Sequence, residues 1–554
     1  DNALRDSLVK VKGRLLIGVI NSIGVRQDAN SVSALIGQLE NDDADVASAA
    51  AVALGRIGGA TSAKVLERSL VNAPAAVRNA VAEGCVRCAE KLLAGEQSAE
   101  AVELYDAVRK VDVPKPRILQ ATRGAILARG AAGIPLLVEQ LQSADKALFA
   151  LGLGVAREIP SSQVTDILVS ELVRTTPQRQ ALLILALGDR NEPKAMAAVL
   201  KAAKSESEAV RFAAIRGLEL SGNGSCLPVL LEAATGPQAE LAETALAVLA
   251  DLPGKEVDDD LAARLQKAEG KARLILIQLA GRRHIETTNP LLMKAAEDSD
   301  IRVRCAALTA LGATVSLDDL PILMSRATDL TKTQEAKAAG AALCAACARM
   351  TDRDGCADKI LAVFPSSPAA TKCILLETLV SAGGTKALKA VSAAAHDANS
   401  EVRDAAYRAL GEWTSTDAGP ELLVLAKLSG DNRLATRALR GYVRIARQFN
   451  IPDSERLAMY GEILTLAKRD EEKRIALDVL KRVISAESLA LAVENLDKPA
   501  LQEAAARVAL AISQELVGLQ PAAVAKAMEK VLQVTKNKDL SARATALLER
   551  SRKK

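Results

Sequence analysis

The sequence predicts an all-α protein, an α-solenoid in which about seventeen antiparallel helix pairs stack into a right-handed superhelix. Three observations carry that prediction. Apolar residues recur at helical spacing in short blocks from one end of the 554 residues to the other. Glycine, proline and acidic turns punctuate the blocks at about one helix length. A two-helix pattern, clearest from Ser31 to Gly59, returns in degraded form at intervals of roughly 33 residues, within the range of helical-pair repeats. Neither helix of such a pair can bury its apolar face alone, so each pair needs a neighbour. One array over residues 1–554, whole or as a segment of a longer protein, is therefore predicted in place of several globular domains.

In the clearest unit, Val32, Leu35, Ile36 and Leu39 share one helical face, and the polar run Asn41 to Asp45 ends that helix. Val46, Ala49, Ala50, Val52, Ala53, Leu54 and Ile57 mark the second helix, which Gly58-Gly59 should stop because glycine tolerates the backbone of a helix end. Before it, Ala3 to Lys10 and Lys12 to Ile23 form a first pair closing at Gly24. After it come Thr61 to Leu70 with Ala76 to Leu93, then Ser98 to Val111 with Lys115 to Arg129, whose linker holds Pro114 and Pro116. First helices follow at Ile134–Leu141, Gln163–Val173, Pro193–Ala203, Leu227–Ala234 and Val257–Lys267. Their partners are Lys146–Glu158, Pro177–Leu187, Glu208–Leu220, Ala239–Leu252 and Lys271–Gly281. Six further second helices are expected at Ile301–Leu311, Thr333–Met350, Ala369–Ser381, Glu401–Trp413, Arg433–Gln448 and Glu471–Ile484. Two last pairs occupy Leu489–Leu516 and Val524–Arg550.

Composition narrows the function. Apolar residues make up 49% of the chain but aromatics only 2%, which suits helices packed closely through Ala, Leu and Val. The 72 Lys and Arg against 68 Asp and Glu leave a net charge of +4, so no global field draws nucleic acid or anionic membrane. No apolar run reaches the roughly eighteen residues of a membrane span; Ala147 to Ala156 is broken by glycine. The first methionine is Met196, so an N-terminus other than the translational start is expected.

Two signatures recur. Ala53-Leu54-Gly55, Ala186-Leu187-Gly188, Ala310-Leu311-Gly312 and Ala409-Leu410-Gly411 end second helices, where the small residues let neighbours approach and leucine fills the core. Val77-Arg78, Val210-Arg211, Val303-Arg304 and Val402-Arg403 begin them, after acidic turns such as Asp397 to Glu401. The combination resembles the HEAT-repeat superfamily, in particular the bacterial HEAT-like repeats of the phycobilin-lyase type. The second helices near 76–93, 333–350 and 433–448 depart from it in length and ending, and Ala99 to Val108 is similar to the first helix of a tetratricopeptide repeat. Arg14 to Gly24 and Ala121 to Gly130 are similar to HEAT segments of large exported proteins of environmental bacteria. That resemblance implies a periplasmic or secreted location and the company of a sugar-hydrolase-type domain outside this chain.

Candidate chemistry is sparse. Only His284 and His396 exist, apart in repeat order, and no phosphate loop or nucleophile elbow stands in a suitable context, so no enzyme activity, cofactor or metal is expected. His396 reads as a turn residue and His284 as a cation at a helix end. Cys85 and Cys88, like Cys344 and Cys347, lie three apart, but the two pairs are too distant in the stack to share a zinc ion. Cys344, Cys347, Cys356 and Cys373 form a local cluster with three readings: reduced buried thiols, a disulfide from Cys347 to Cys356, or a four-cysteine metal site. In HEAT-like arrays the arginines after valine, Arg78, Arg211, Arg304 and Arg403, form a ladder with acidic turn residues of adjacent layers. Arg433, Arg437, Arg440, Arg444 and Arg447 fall at spacings of three and four and paint one helix face positive, the candidate partner-binding site for an acidic protein segment or a phosphate-bearing group, with Lys468, Arg469, Lys473, Arg474, Lys481 and Arg482 following.

The reading that results is a non-catalytic scaffold binding a protein or peptide partner on its concave, second-helix face. Binding of nucleic acid or a phosphate ligand through 433–482 is the alternative, with balanced charge and few aromatics against nucleic acid. An accessory role to an enzyme domain is the third.

Overall fold

The computed structural model describes residues 1–553. It is an all-α solenoid: 34 α-helices, short 3₁₀ turns and, among the described residues, no strand. The helices fall into seventeen consecutive pairs, and the chain divides into two compact units, Asp1–Val257 and Asp258–Lys554. Within each unit the first helices of successive pairs form one layer and the second helices another.

Several expected boundaries coincide with the observed ones. Lys146–Glu158 is the helix predicted, and Val32–Gln38 pairs with Ala44–Ile57 as the repeat unit requires. Gly58 and Gly59 stop that second helix with φ of 76° and 86°, a region costly for any residue with a Cβ. The long second helices also appear, Ala75–Ala94 with 20 residues and Thr333–Arg349 and Asn432–Gln448 with 17 each. The acidic turns act as N-caps. Asp43, Asp145, Asp300, Asn399 and Asp431 each accept a backbone N–H from the first turn of the second helix that follows.

Other boundaries move. The second helix does not close at Gly24; Gly13–Arg26 runs on to Gln27, which takes the left-handed conformation at φ 55°. The helix expected at Glu471–Ile484 ends at Val479 and continues as a 3₁₀ turn, Leu480–Arg482. Many first helices begin with proline at their first or second position, as in Ile134–Gln142, Leu227–Thr235 and Leu320–Ala327, each preceded by a 3₁₀ turn.

Small residues set the spacing of the second-helix layer. A Cβ placed on Gly55 would lie 2.3 Å from the carbonyl oxygen of Gly84, and one on Gly188 would lie 2.6 Å from that of Gly217. Gly24 meets the Cα of Ala53 at 2.9 Å, Gly281 that of Ala310 at 2.8 Å and Gly312 that of Ala342 at 2.7 Å in the same construction. These glycines sit inside helices because backbone must touch backbone there, at a conformational cost of about 1 kcal/mol each relative to alanine. The leucines before Gly55, Gly188 and Gly312, which are Leu54, Leu187 and Leu311, have no exposed surface; Leu410 is equally sealed, although a Cβ on Gly411 would meet nothing within 4 Å.

Candidate binding surface

Arginine does much of the joining, and backbone carbonyls as well as carboxylates accept from it. Arg78, Arg211, Arg304 and Arg403 stand in the first turn of their second helices and reach back to carbonyls of the preceding turn: Ala73, Ser205 and Glu206, Asp298 and Ser299, Asp397 and Ala398. Those carbonyls belong to the turn between the two helices, where no helix supplies a partner. Two also reach the next unit, Arg211 to Gln238 at 3.0 Å and Arg304 to Glu335 at 2.8 Å. The expected ladder to acidic turn residues of adjacent layers is thus mainly a set of caps on the unit's own turn. The reason is proximity, since the guanidinium passes those carbonyls first.

A second set caps second helices from the following unit. Buried Arg190 donates to the carbonyls of Ala156, Ile159 and Ser161 at 2.9, 3.1 and 2.7 Å, to the Thr165 hydroxyl at 2.6 Å and to Glu192 at 2.9 Å. Arg349 does the same for Val315, and Arg456 for Ala446 and Phe449.

The arginines of Asn432–Gln448 form the stripe that their spacing predicts, but most of it is already partnered. Arg433 and Arg437 both reach Asp404 on the preceding second helix at 2.6 Å. Arg440 reaches Glu472 on the following one at 2.8 Å, and Arg444 donates to the carbonyls of Gly411 and Trp413. Burial pushes the Asp404 carboxyl up, yet the facing guanidinium groups hold it below the ordinary carboxylate range. Arg447 remains exposed without a partner among the described residues. Beyond it, Lys468 donates to Asn432, Arg474 to the Ala500 carbonyl, and Lys481 pairs with Asp478. A phosphate-binding face here would have to break these contacts first.

The histidines and cysteines serve the stack. His284 takes a left-handed φ of 53° and closes Gly270–Arg282, its N–H on Gly281, the Ile285 N–H on Ala280, and its Nδ1 2.9 Å from the Ala313 carbonyl. His396 is exposed in its turn. All eight cysteines are free. Cys347 and Cys356 are both buried, the Cys356 thiol lies 3.5 Å from Met350 Sδ, and burial pushes both thiols up. Cys344 points to Thr378 and Cys373 to the Glu401 carbonyl, and among the described residues no three His, Cys, Asp or Glu side chains converge on one point.

The feature that sequence reasoning missed is apolar. On the second-helix layer of Asp1–Val257, Pro177–Gly188 and Glu208–Ser221 leave Leu182 45% and Leu220 81% exposed. Leu185 and Phe212 line a depression of about 670 Å³ between them, edged by Glu208, Arg216 and Glu240. The sequence signal was present: Leu182 stands where other second helices carry Ala49, Ala306 and Ala405, and Phe212 where they carry Asn79 and Asp404.

Comparison with known proteins agrees with the repeat reading. The HEAT-repeat family profile matches residues 4–85, 165–250 and 259–344. Among solved structures, Kap121p bound to Ste12p is 12% identical over 100% of this chain and 75% of that one, with a TM-score of 0.42. Yeast importin-β, Kap95p, is 12% identical over 100% of this chain and 88% of its own, with a TM-score of 0.36. No curated protein sequence matches the chain. Among the described residues no helix is long and apolar enough to cross a membrane.

Proposed function

Starting from a chain that carries HEAT repeats, we propose that it is a non-catalytic scaffold that binds a protein partner through the second-helix layer of residues 1–257. The observation that carries this reading is the depression lined by Leu185 and Phe212, on two second helices that also leave Leu182 and Leu220 exposed. Contiguous apolar surface with a charged edge is the usual makeup of a protein interface, with aromatic and leucine anchors at its centre and polar groups at its rim. A stacked array supplies a rigid base for it, because each helix is fixed by the pairs on either side. The basic segment 433–482 is a poorer interface, since Arg433, Arg437, Arg440 and Arg444 hold one layer to the next.

The test is affinity capture with the full chain and with Leu182→Glu combined with Leu220→Glu. Both side chains are exposed, so the double variant folds as the parent does. A defined partner retained by the parent and lost by the variant is expected. Identical partner sets for the two would overturn the proposal.

A further inference from the structure

The layer that is tight on one side is open on the other. Pro177–Gly188 and Glu208–Ser221 touch backbone to backbone at Gly188 and Gly217. The first helices of the same units, Ser162–Leu172 and Pro193–Ala202, do not follow them inward and leave a groove of about 710 Å³. Its apolar lining includes Val169, Leu172, Ile184 and Val210, and Val173 stands 83% exposed at one lip. Gln180 turns its amide to the Leu172 carbonyl at 2.7 Å. The opposite lip carries Lys194, Lys201 and Lys204. Lys194 pairs with Asp166, whereas exposed Lys201 and Lys204 face no carboxylate among the described residues.

We infer that this groove seats an acidic amphipathic helix of a protein partner, its apolar side on the floor and its carboxylates along Lys201 and Lys204. Charge complementarity selects the occupant. Two unmatched ammonium groups three positions apart suit carboxylates repeated at one helical turn on the partner, where a single-headed fatty acid would satisfy only one. The lip is the helix Pro193–Ala202, 10 residues and about 15 Å long, with the turn after it that carries Lys204, and it accommodates roughly three turns of a bound helix. The site lies on the first-helix layer and is separate from the surface proposed above.

The experiment uses the full chain and a fluorescent helical peptide of about three turns, with leucines at i, i+3, i+4 and i+7 and glutamates on the other face. Saturable binding that weakens with salt is expected. Lys201→Glu combined with Lys204→Glu should weaken it about tenfold or more, and Val173→Asp should weaken it by a similar factor. Leu182→Glu with Leu220→Glu should leave it unchanged, so the second-helix proposal stands or falls separately. Equal binding of a scrambled peptide of the same composition, or an unchanged affinity in the lysine variant, would overturn the inference. Saturable binding of dodecanoate with none of the peptide would overturn it in favour of a fatty-acid groove.

Discussion

Gly55→Ala should destabilise the protein although alanine is the better helix former. The added Cβ would sit 2.3 Å from the Gly84 carbonyl oxygen and 2.6 Å from the Gly84 Cα, both backbone atoms that no rotamer change can move. Restoring ordinary contact of about 3.5 Å requires Ala44–Ile57 and Ala75–Ala94 to part by about 1 Å. Overpacking of that kind costs about 3 kcal/mol at the upper end, offset by about 1 kcal/mol of helix propensity, for a net loss of about 2 kcal/mol. Gly18→Ala is the matched control: it lies in Gly13–Arg26, and a Cβ there meets nothing within 4 Å, so it should gain up to about 1 kcal/mol. Because a stacked array need not unfold as one unit, the measurement is amide hydrogen exchange read helix by helix. Exchange in Ala44–Ile57 and Ala75–Ala94 should rise about 30-fold in the first variant, from a tenfold change per 1.4 kcal/mol, and exchange in Gly13–Arg26 should fall in the second. A Gly55→Ala protein as stable as the parent would refute the claim that backbone contact sets the layer spacing.

Arg190→Met should leave the carbonyls of Ala156, Ile159 and Ser161 without their cap and cost about 2–4 kcal/mol, seen as faster exchange confined to residues 146–172. Glu96→Gly should stabilise by about 1 kcal/mol in urea unfolding, because Glu96 holds φ at 64° while closing Ala75–Ala94. Asp404 has a lowered folded-state pKa, so its contribution is complete above the ordinary carboxylate pKa and is lost as pH falls through the folded value. Acid titration should therefore loosen the joint between Ser400–Gly411 and Asn432–Gln448, and Asp404→Asn should remove that part of the pH dependence; an unchanged acid limb would contradict it. Mild oxidation of the folded chain should join Cys347 to Cys356 before any other pair, and faster at higher pH, since both thiols are pushed up by burial; peptide mapping that finds another pair first would count against it.

The helix pairs were legible because each is encoded locally. Asp145 as a cap and the spacing from Lys146 to Glu158 define a helix without reference to anything distant, and the structure returns the same bounds. Gly24 was misread because glycine has two uses. Its setting in Ser22-Ile23-Gly24 parallels Ala53-Leu54-Gly55, a parallel that would have placed it inside the helix against the next layer. The basic stripe was legible as a pattern but not as a set of contacts. Asp404 and Glu472 lie 29 and 32 residues from their arginines, about one repeat away, and that offset is itself a readable sign of pairing between layers. The caps made by Arg190 and Arg456 could not be read, because their acceptors are main-chain carbonyls that every residue possesses. The groove beside Lys201 was equally hidden, since it depends on how far two first helices stand apart.

Where Gly188 abuts Gly217, the two helices share something close to a pivot line, and the first helices stand on the far side of it like the free edges of a half-open book. With helix axes about 10 Å apart, each 1 Å that an occupant adds between those edges turns one pair against the next by about 6°. The width of whatever enters is thereby translated into an angle, and a leucine-for-alanine change in the incoming segment would register as rotation of the neighbouring layer.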